Sequence, residues 1–320
     1  MRIAFRLLLT ALVFGAAGPA ALAADVIRVG YTPAATHATP VVGFSPQRLS
    51  YYKAFPGVRF PNRLHWTGDE AIASLRAGAL DLAFVDAATA IRAWEKTPDI
   101  FVLAGAARGG VSVVSRKDII FSFLYDARGR TIAVPQAGDI ADVLFRYQMA
   151  LNGLRSRETG GTVSIAAHRL SDLPGLFRSG RVDAACLAEP WAAWLQAQTG
   201  ARLVAGPREL FAEGGYPTTL LVARRDWVIH NPETARRFIK ATDQITREVA
   251  RNNGWLAPLL ASEMKRLGAP PVSEETMRKG VQRCRFTTDV SERDLQVFAN
   301  LLNVSGYRKG NARLNGILWR

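Results

Sequence analysis

The chain has 320 residues, 48% of them hydrophobic and 21% charged, with two cysteines and a formal charge of +14. At roughly 100–200 residues per domain this length allows two domains. The balance excludes a disordered tail, a collagen-like repeat and a polytopic membrane protein, and two cysteines exclude a disulfide-dense scaffold and a four-cysteine zinc site.

Arg2 and Arg6 open the chain, an apolar stretch of small residues follows to Gly18, and Ala21 and Ala23 sit at cleavage-site spacing. This is the plan of a secretory signal over residues 1–23, cut after Ala23. The apolar run is short of the ~20 residues that a transmembrane anchor needs. A periplasmic mature protein is therefore expected. In an oxidising compartment Cys186 and Cys284 could pair, and spacing alone leaves that open.

Beyond the signal, short apolar segments alternate with helical ones. Strands are expected at residues 26–31, 80–85, 101–104, 131–134, 162–165 and 182–187. Helices are expected at 70–77, 140–151 and 173–179. Such alternation implies α/β architecture with mainly parallel sheets covered on both faces. From Asn231 the chain reads almost entirely as helix. Pro232 suits the first turn of one, and Ala235, Phe238, Ile239, Ile245 and Val249 recur at helical spacing.

A segment echoes itself. Leu75-Arg-Ala-Gly-Ala-Leu-Asp81-Leu-Ala resembles Phe177-Arg-Ser-Gly-Arg-Val-Asp183-Ala-Ala at an offset of 102, which also relates Arg28 to Arg130 and Pro33 to Pro135. A constant offset points to two similar lobes. In open parallel sheets, the loops at the carboxyl ends of strands line the crevice and helix N-termini point into it. The loops at 31–38, 67–70, 86–89, 108–110, 135–139, 188–191 and 214–219 are thus the places to find a site.

Catalytic signatures are missing. The chain lacks G-x-S-x-G, a P-loop, H-E-x-x-H and G-x-G-x-x-G, and its four histidines are scattered. No metal, cofactor or nucleic-acid partner is expected. The surplus positive charge is dispersed and reads as a solvated surface.

Several stretches resemble one family. These are Arg28-Val-Gly-Tyr-Thr-Pro33 with Thr36-His37-Ala38, residues 77–85 and 104–110, Ile132-Ala-Val-Pro-Gln136, Ala188-Glu-Pro-Trp-Ala192 and Gly215-Tyr-Pro-Thr-Thr219. In order, they resemble substrate-binding proteins of the nitrate/sulfonate/taurine type, the extracytoplasmic receptors of ABC importers. The resemblance implies a two-lobed periplasmic-binding-protein fold of type II. It sets lobe one at 25–114 plus 219–320 and lobe two at 115–218, with crossings near 110–116 and 217–224. It also implies a monomer that closes on a small ligand, probes no covalent chemistry and presents the closed form to ABC permease subunits in the inner membrane.

Strand ends and resemblance together nominate Tyr31, Thr36, His37, Asp86, Gln136, Glu189, Trp191 and Thr218 as ligand-binding residues. An oxyanion such as sulfonate, taurine or nitrate would sit over helix N-termini near Thr36 and Gly138. Asp86 departs from the family pattern, which often has glycine there. Its carboxylate either caps the following helix or repels an oxyanion. Pro46 interrupts the usual first helix. These departures keep a heteroaromatic amine such as a thiamine-pyrimidine precursor open as the ligand, and a synthase-like enzyme on the same fold as the alternative function. Trp191 reads equally as core or as a stacking platform, Glu189 as a cap of its own helix or a ligand contact, and Arg108 as an anion partner or a solvated side chain.

Overall fold

The computed structural model describes residues 26–211, 215–251 and 254–320; the signal expected over 1–23 lies outside the described residues. The chain opens with β1 (Val29–Tyr31) and passes a 3-10 turn into α1 (Ala38–Gly43). It continues through α2 (Ser50–Ala54), β2 (Arg63–Leu64), α3 (Gly68–Arg76), β3 (Leu82–Val85), α4 (Ala87–Lys96) and β4 (Ile100–Gly109). A second run comprises β5 (Val111–Ser115), β6 (Thr131–Val134), α5 (Ile140–Leu151), β7 (Ser164–Ala167), α6 (Leu173–Arg178), β8 (Ala184–Ala188), α7 (Trp191–Thr199), β9 (Arg202–Ala205) and α8 (Pro207–Leu210). The remainder is β10 (Pro217–Arg224), α9 (Arg225–His230), α10 (Pro232–Arg251), α11 (Leu256–Arg266), α12 (Glu274–Gln282), β11 (Cys284–Arg285) and α13 (Glu292–Val304).

The strands form two sheets, ordered β11-β4-β10-β3-β1-β2 and β7-β6-β8-β5-β9. Within each, the β1- and β6-centred pairings are parallel; β10 and the short β11 run against their neighbours in the first sheet, and β5 in the second. Strand β3 is buried along its whole length, as its unbroken Leu-Ala-Phe-Val run requires of a strand covered on both faces. The fold is thus two α/β layers of mostly parallel strands flanked by helices.

Apart from the extra edge strand β11, the two sheets share one strand arrangement, in keeping with the sequence echo. Asp81, 1% exposed, accepts from the Arg28 backbone N–H at 2.9 Å and pairs with the Arg28 and Arg224 guanidiniums at 3.3 and 3.5 Å. At the offset of 102, Asp183 accepts from the Thr131 N–H at 2.9 Å and pairs with Arg130 and Arg116, both at 3.6 Å. A carboxylate shielded from water needs such partners, so the buried Asp81 and the half-buried Asp183 each tie strand ends together. Arg116 directly follows β5, and Arg224 ends β10. The reversed strand of each sheet arrives from the other half of the chain and brings the second arginine with it.

The chain changes sheet between Gly109 and Val111, and again between Ala205 and Pro217. Residues 111–115 and 217–224 are complete strands of the sheet being entered, so the changeovers precede the crossings read from sequence by a few residues. Gly110 has φ +72°, and a Cβ there would lie 2.8 Å from Thr36 Cγ2 and 2.7 Å from Cys284 Sγ. Only glycine fits that left-handed, crowded turn.

Strand 101–104 lengthens to 100–109 because β10 pairs along it. Helix α5 spans 140–151 as its periodicity suggests. Along α10, Ala235, Phe238, Ile245 and Val249 are buried. Beside it, Phe44, Tyr51, Phe60 and Phe238 form an aromatic cluster, with Tyr51 stacked on Phe238 at 4.7 Å. Cys186 and Cys284 are both free thiols.

Candidate functional site

A cavity of about 90 Å³ lies between the lobes, where the chain leaves β1, β3, β6 and β8. This is the carboxyl-end crevice of open α/β sheets. From the first lobe come Thr36, His37, Trp66, Thr67 and Asp86, with Thr218 from β10; from the second come Pro135, Gln136, Asp139, Leu170 and Trp191. Around Trp66, Thr67, Pro135 and Leu170 the cavity adjoins a wider outer groove of about 870 Å³.

Several polar wall residues are held by neighbours close in the chain. The His37 ring accepts the Thr32 backbone N–H at Nδ1, 3.2 Å away. Burial alone pushes its pKa down to about 3, so the ring is neutral. With Nδ1 accepting, the proton resides on Nε2, which makes His37 a donor at the cavity wall.

Asp86 caps α4, accepting the Thr89 N–H at 2.9 Å and the Thr89 hydroxyl at 2.7 Å. Asp139 caps α5 in the same way, accepting the Asp142 N–H at 2.9 Å. Thr67 caps α3 in a reciprocal box with Glu70. Burial lifts the Asp86 carboxyl above its ordinary range, against the Thr89 bonds and the nearby Arg92. Burial lifts Asp139 further, and the charge of Asp86 adds to it. Two carboxyls from opposite lobes therefore face one cavity, and no lysine or arginine lines it among the described residues.

A polar clasp crosses beside the cavity. Arg92 on α4 donates to Asp69 at 2.9 Å and to the Gly138 carbonyl at 3.1 Å. The Gln136 amide donates to Asp69. Tyr307, beyond α13, donates to Asp142, which also accepts the Gly138 N–H at 2.8 Å. The Gly138 amide, expected to hold an oxyanion, is thus already taken by a carboxylate.

Of the eight residues nominated from sequence, Thr36, His37, Asp86, Gln136, Trp191 and Thr218 line the cavity. Tyr31 does not. Its ring packs on Phe44 at 5.8 Å in the aromatic cluster, and burial pushes its hydroxyl up to about 12. Nor does Glu189, which is fully buried behind the wall. It accepts from the Ser112 hydroxyl at 2.9 Å, the Arg283 guanidinium at 2.6 Å and the Ala193 N–H of α7 at 3.2 Å. It caps its helix and ties α12 to the changeover strand. Trp191 packs edge-to-face on Trp194 in the core while still reaching the wall. Arg108 is paired with the Asp294 carboxylate at 2.7 Å and does not line the cavity.

The cavity residues that sequence reasoning left unnamed are chiefly Asp139 and Trp66. Asp139 stands 102 residues after His37, so the repeat offset marked it. Trp66 precedes a capping box and is 46% exposed, an unusual place for a tryptophan.

A model of the NMT1-like family matches residues 22–254. No curated protein matches the chain. The alkanesulfonate-binding protein SsuA from Xanthomonas axonopodis pv. citri, solved with MOPS bound, is similar at TM-score 0.76 and 17% identity, over 92% of this chain and 98% of its own. The ligand-binding component of an ABC-type import system from Staphylococcus aureus gives 0.77 at 12% identity, over 92% and 96%. The periplasmic nitrate-binding protein NrtA from Synechocystis PCC 6803 gives 0.73 at 15%, over 89% and 83%. At these identities the likeness is one of architecture. Among the described residues, no helix is long and apolar enough to cross a membrane, and no group of three or more His, Cys, Asp or Glu side chains could hold a metal ion.

Proposed function

The chain belongs to the NMT1-like family, and on that premise we propose that it is the extracytoplasmic solute receptor of an ABC importer. A small molecule binds in the interlobe cavity, the lobes close over it, and the closed form docks on a membrane permease. Residues 25–114 with 219–320 form one moving body and 115–218 the other. The segment 1–23 directs export to the periplasm and is removed, and the protein acts as a monomer.

One observation carries this reading. The cavity lies between two lobes of matching topology, at their strand ends, with a glycine changeover behind it. Hinge closure over a ligand is the motion that such a layout allows. Binding to the folded form alone should raise the melting temperature. The radius of gyration from small-angle scattering should fall with the same compound. Loss of compaction at saturating ligand would refute closure. N-terminal sequencing of the exported protein should begin near Ala24, and an uncleaved Met1 in the membrane fraction would refute export.

The synthase-like alternative has less support. It calls for a cysteine- or histidine-rich centre, whereas Cys186 is buried in β8 and Cys284 packs at the changeover. The preference for a sulfonate, taurine or nitrate-like anion rests on resemblance, and the chemistry of the wall favours the opposite charge.

A further inference from the structure

We propose, resting on the receptor reading, that the ligand is a small organic ammonium whose charged nitrogen sits between Asp86 and Asp139. The argument begins with what the wall offers. Asp86 comes from lobe one and Asp139 from lobe two, and both line the cavity. Arg92, beside the cavity, is held by Asp69 and the Gly138 carbonyl and does not line it, and Arg169 lies in the adjoining outer groove.

Two further groups point the same way. The Oε1 of Gln136 is a buried acceptor with no hydrogen-bond partner among the described residues, because its amide nitrogen is committed to Asp69. His37, 7% exposed, has its Nδ1 occupied and its Nε2–H without a partner among the described residues. A buried polar group left unpaired is costly, so Gln136 Oε1 awaits a donor, while the His37 Nε2–H is free to donate to a ligand in the cavity. Two carboxyls and an amide oxygen accept; one imidazole donates. An ammonium satisfies the acceptors, and one acceptor atom elsewhere in the same molecule satisfies His37.

Charge also explains the direction of the carboxyl shifts. Burial holds both groups above the ordinary range and the charge of Asp86 adds to the shift of Asp139, which a cation between them would offset. An oxyanion would meet whatever negative charge these carboxyls carry. It would also find the Gly138 N–H already bonded to Asp142. Because the two aspartates stand on opposite lobes, an ammonium bonded to both would draw the lobes together. Recognition and closure would then be one event. Trp66 and Trp191 add π-faces at the wall, which favour cations.

Three probes of one shape separate the possibilities: benzylammonium, benzyl alcohol and benzenesulfonate, each at millimolar concentration, read by melting temperature and small-angle scattering. Asp86→Asn and Asp139→Asn are the variants. Asparagine is as good an N-cap as aspartate, so both helices keep their caps while the charge is lost. Benzylammonium alone should raise the melting temperature and compact the protein. Each variant should weaken that binding about ten- to hundred-fold, the value of a charge-assisted hydrogen bond.

Benzylammonium binding that is unchanged in both variants would overturn the assignment. Stabilisation and compaction by benzenesulfonate, with none by the amine, would also overturn it while leaving the receptor reading intact. No response to any probe would overturn the ammonium assignment. If a wider solute screen also failed to produce compaction, the receptor reading would fall with it.

Discussion

His37→Asn tests the electrostatics of the cavity wall through stability alone. The asparagine oxygen can still accept the Thr32 N–H, but the side chain no longer titrates. In the native protein, burial lowers the His37 pKa from 6.5 to about 3. Between those values the unfolded chain binds a proton that the folded chain does not. Stability is therefore complete above about pH 6.5 and falls as the pH drops toward 3. At about pH 5 the unfolded state gains roughly 1.5 pH units of protonation free energy, or about 2 kcal/mol. Urea unfolding at about pH 7.5 and about pH 5 measures this. The wild type should lose about 2 kcal/mol more than the variant between the two conditions. Asp86 and Asp139 titrate in both proteins and cancel in the difference. A parallel loss would show that the ring protonates freely in the folded state, and the Nε2–H donor at the wall would go with it.

Binding of an ammonium should release protons. Asp139 is held well above the usual carboxylate range by burial and by Asp86, and a cation lowers it. Affinity should fall with falling pH, and calorimetry in two buffers of different ionisation heat should differ by the protons released. His37, already neutral, should contribute little. Equal heats in both buffers would contradict the carboxyl assignment. Trp191→Ala should cost about 3–5 kcal/mol of stability, because the ring packs in the core against Trp194; a loss below about 1 kcal/mol would make it a surface platform instead. Glu189→Ala strips a buried carboxylate from Arg283 and Ser112 and should cost about 3–5 kcal/mol, with Glu189→Gln recovering part of it. Equal stability of the two variants would show that Glu189 does not pin α12.

The architecture was legible where one segment carries its own signal. The apolar runs of β3, β6 and β8 announce themselves, and α5 has clear periodicity and a capping aspartate. The repeat offset exposed the two lobes because Asp81 and Asp183 take equivalent places and are each paired with two arginines. Strands β5 and β10 were harder to read as members of the opposite lobe. Their place depends on a changeover at Gly109–Gly110 and on partners more than 70 residues away.

At the site, loops at strand ends were predictable and side-chain direction was not. Tyr31 sits at a strand end yet faces the aromatic cluster. Glu189 lies in the family-like Glu-Pro-Trp segment yet points to Arg283. Asp86 was left open between a cap and a repelling charge, and it caps α4; Asp139, unnamed from sequence, caps α5. That both caps meet in one cavity depends on how the lobes are placed, and no stretch of 53 residues between them states it.

Small-angle scattering of wild type and of the Asp86→Asn/Asp139→Asn double variant, each with and without benzylammonium, tests the central claim most directly. The wild type should become more compact on adding the amine, and the double variant should not change. Equal compaction of both proteins, or compaction of the wild type only by benzenesulfonate, would contradict a cation held between the two lobes.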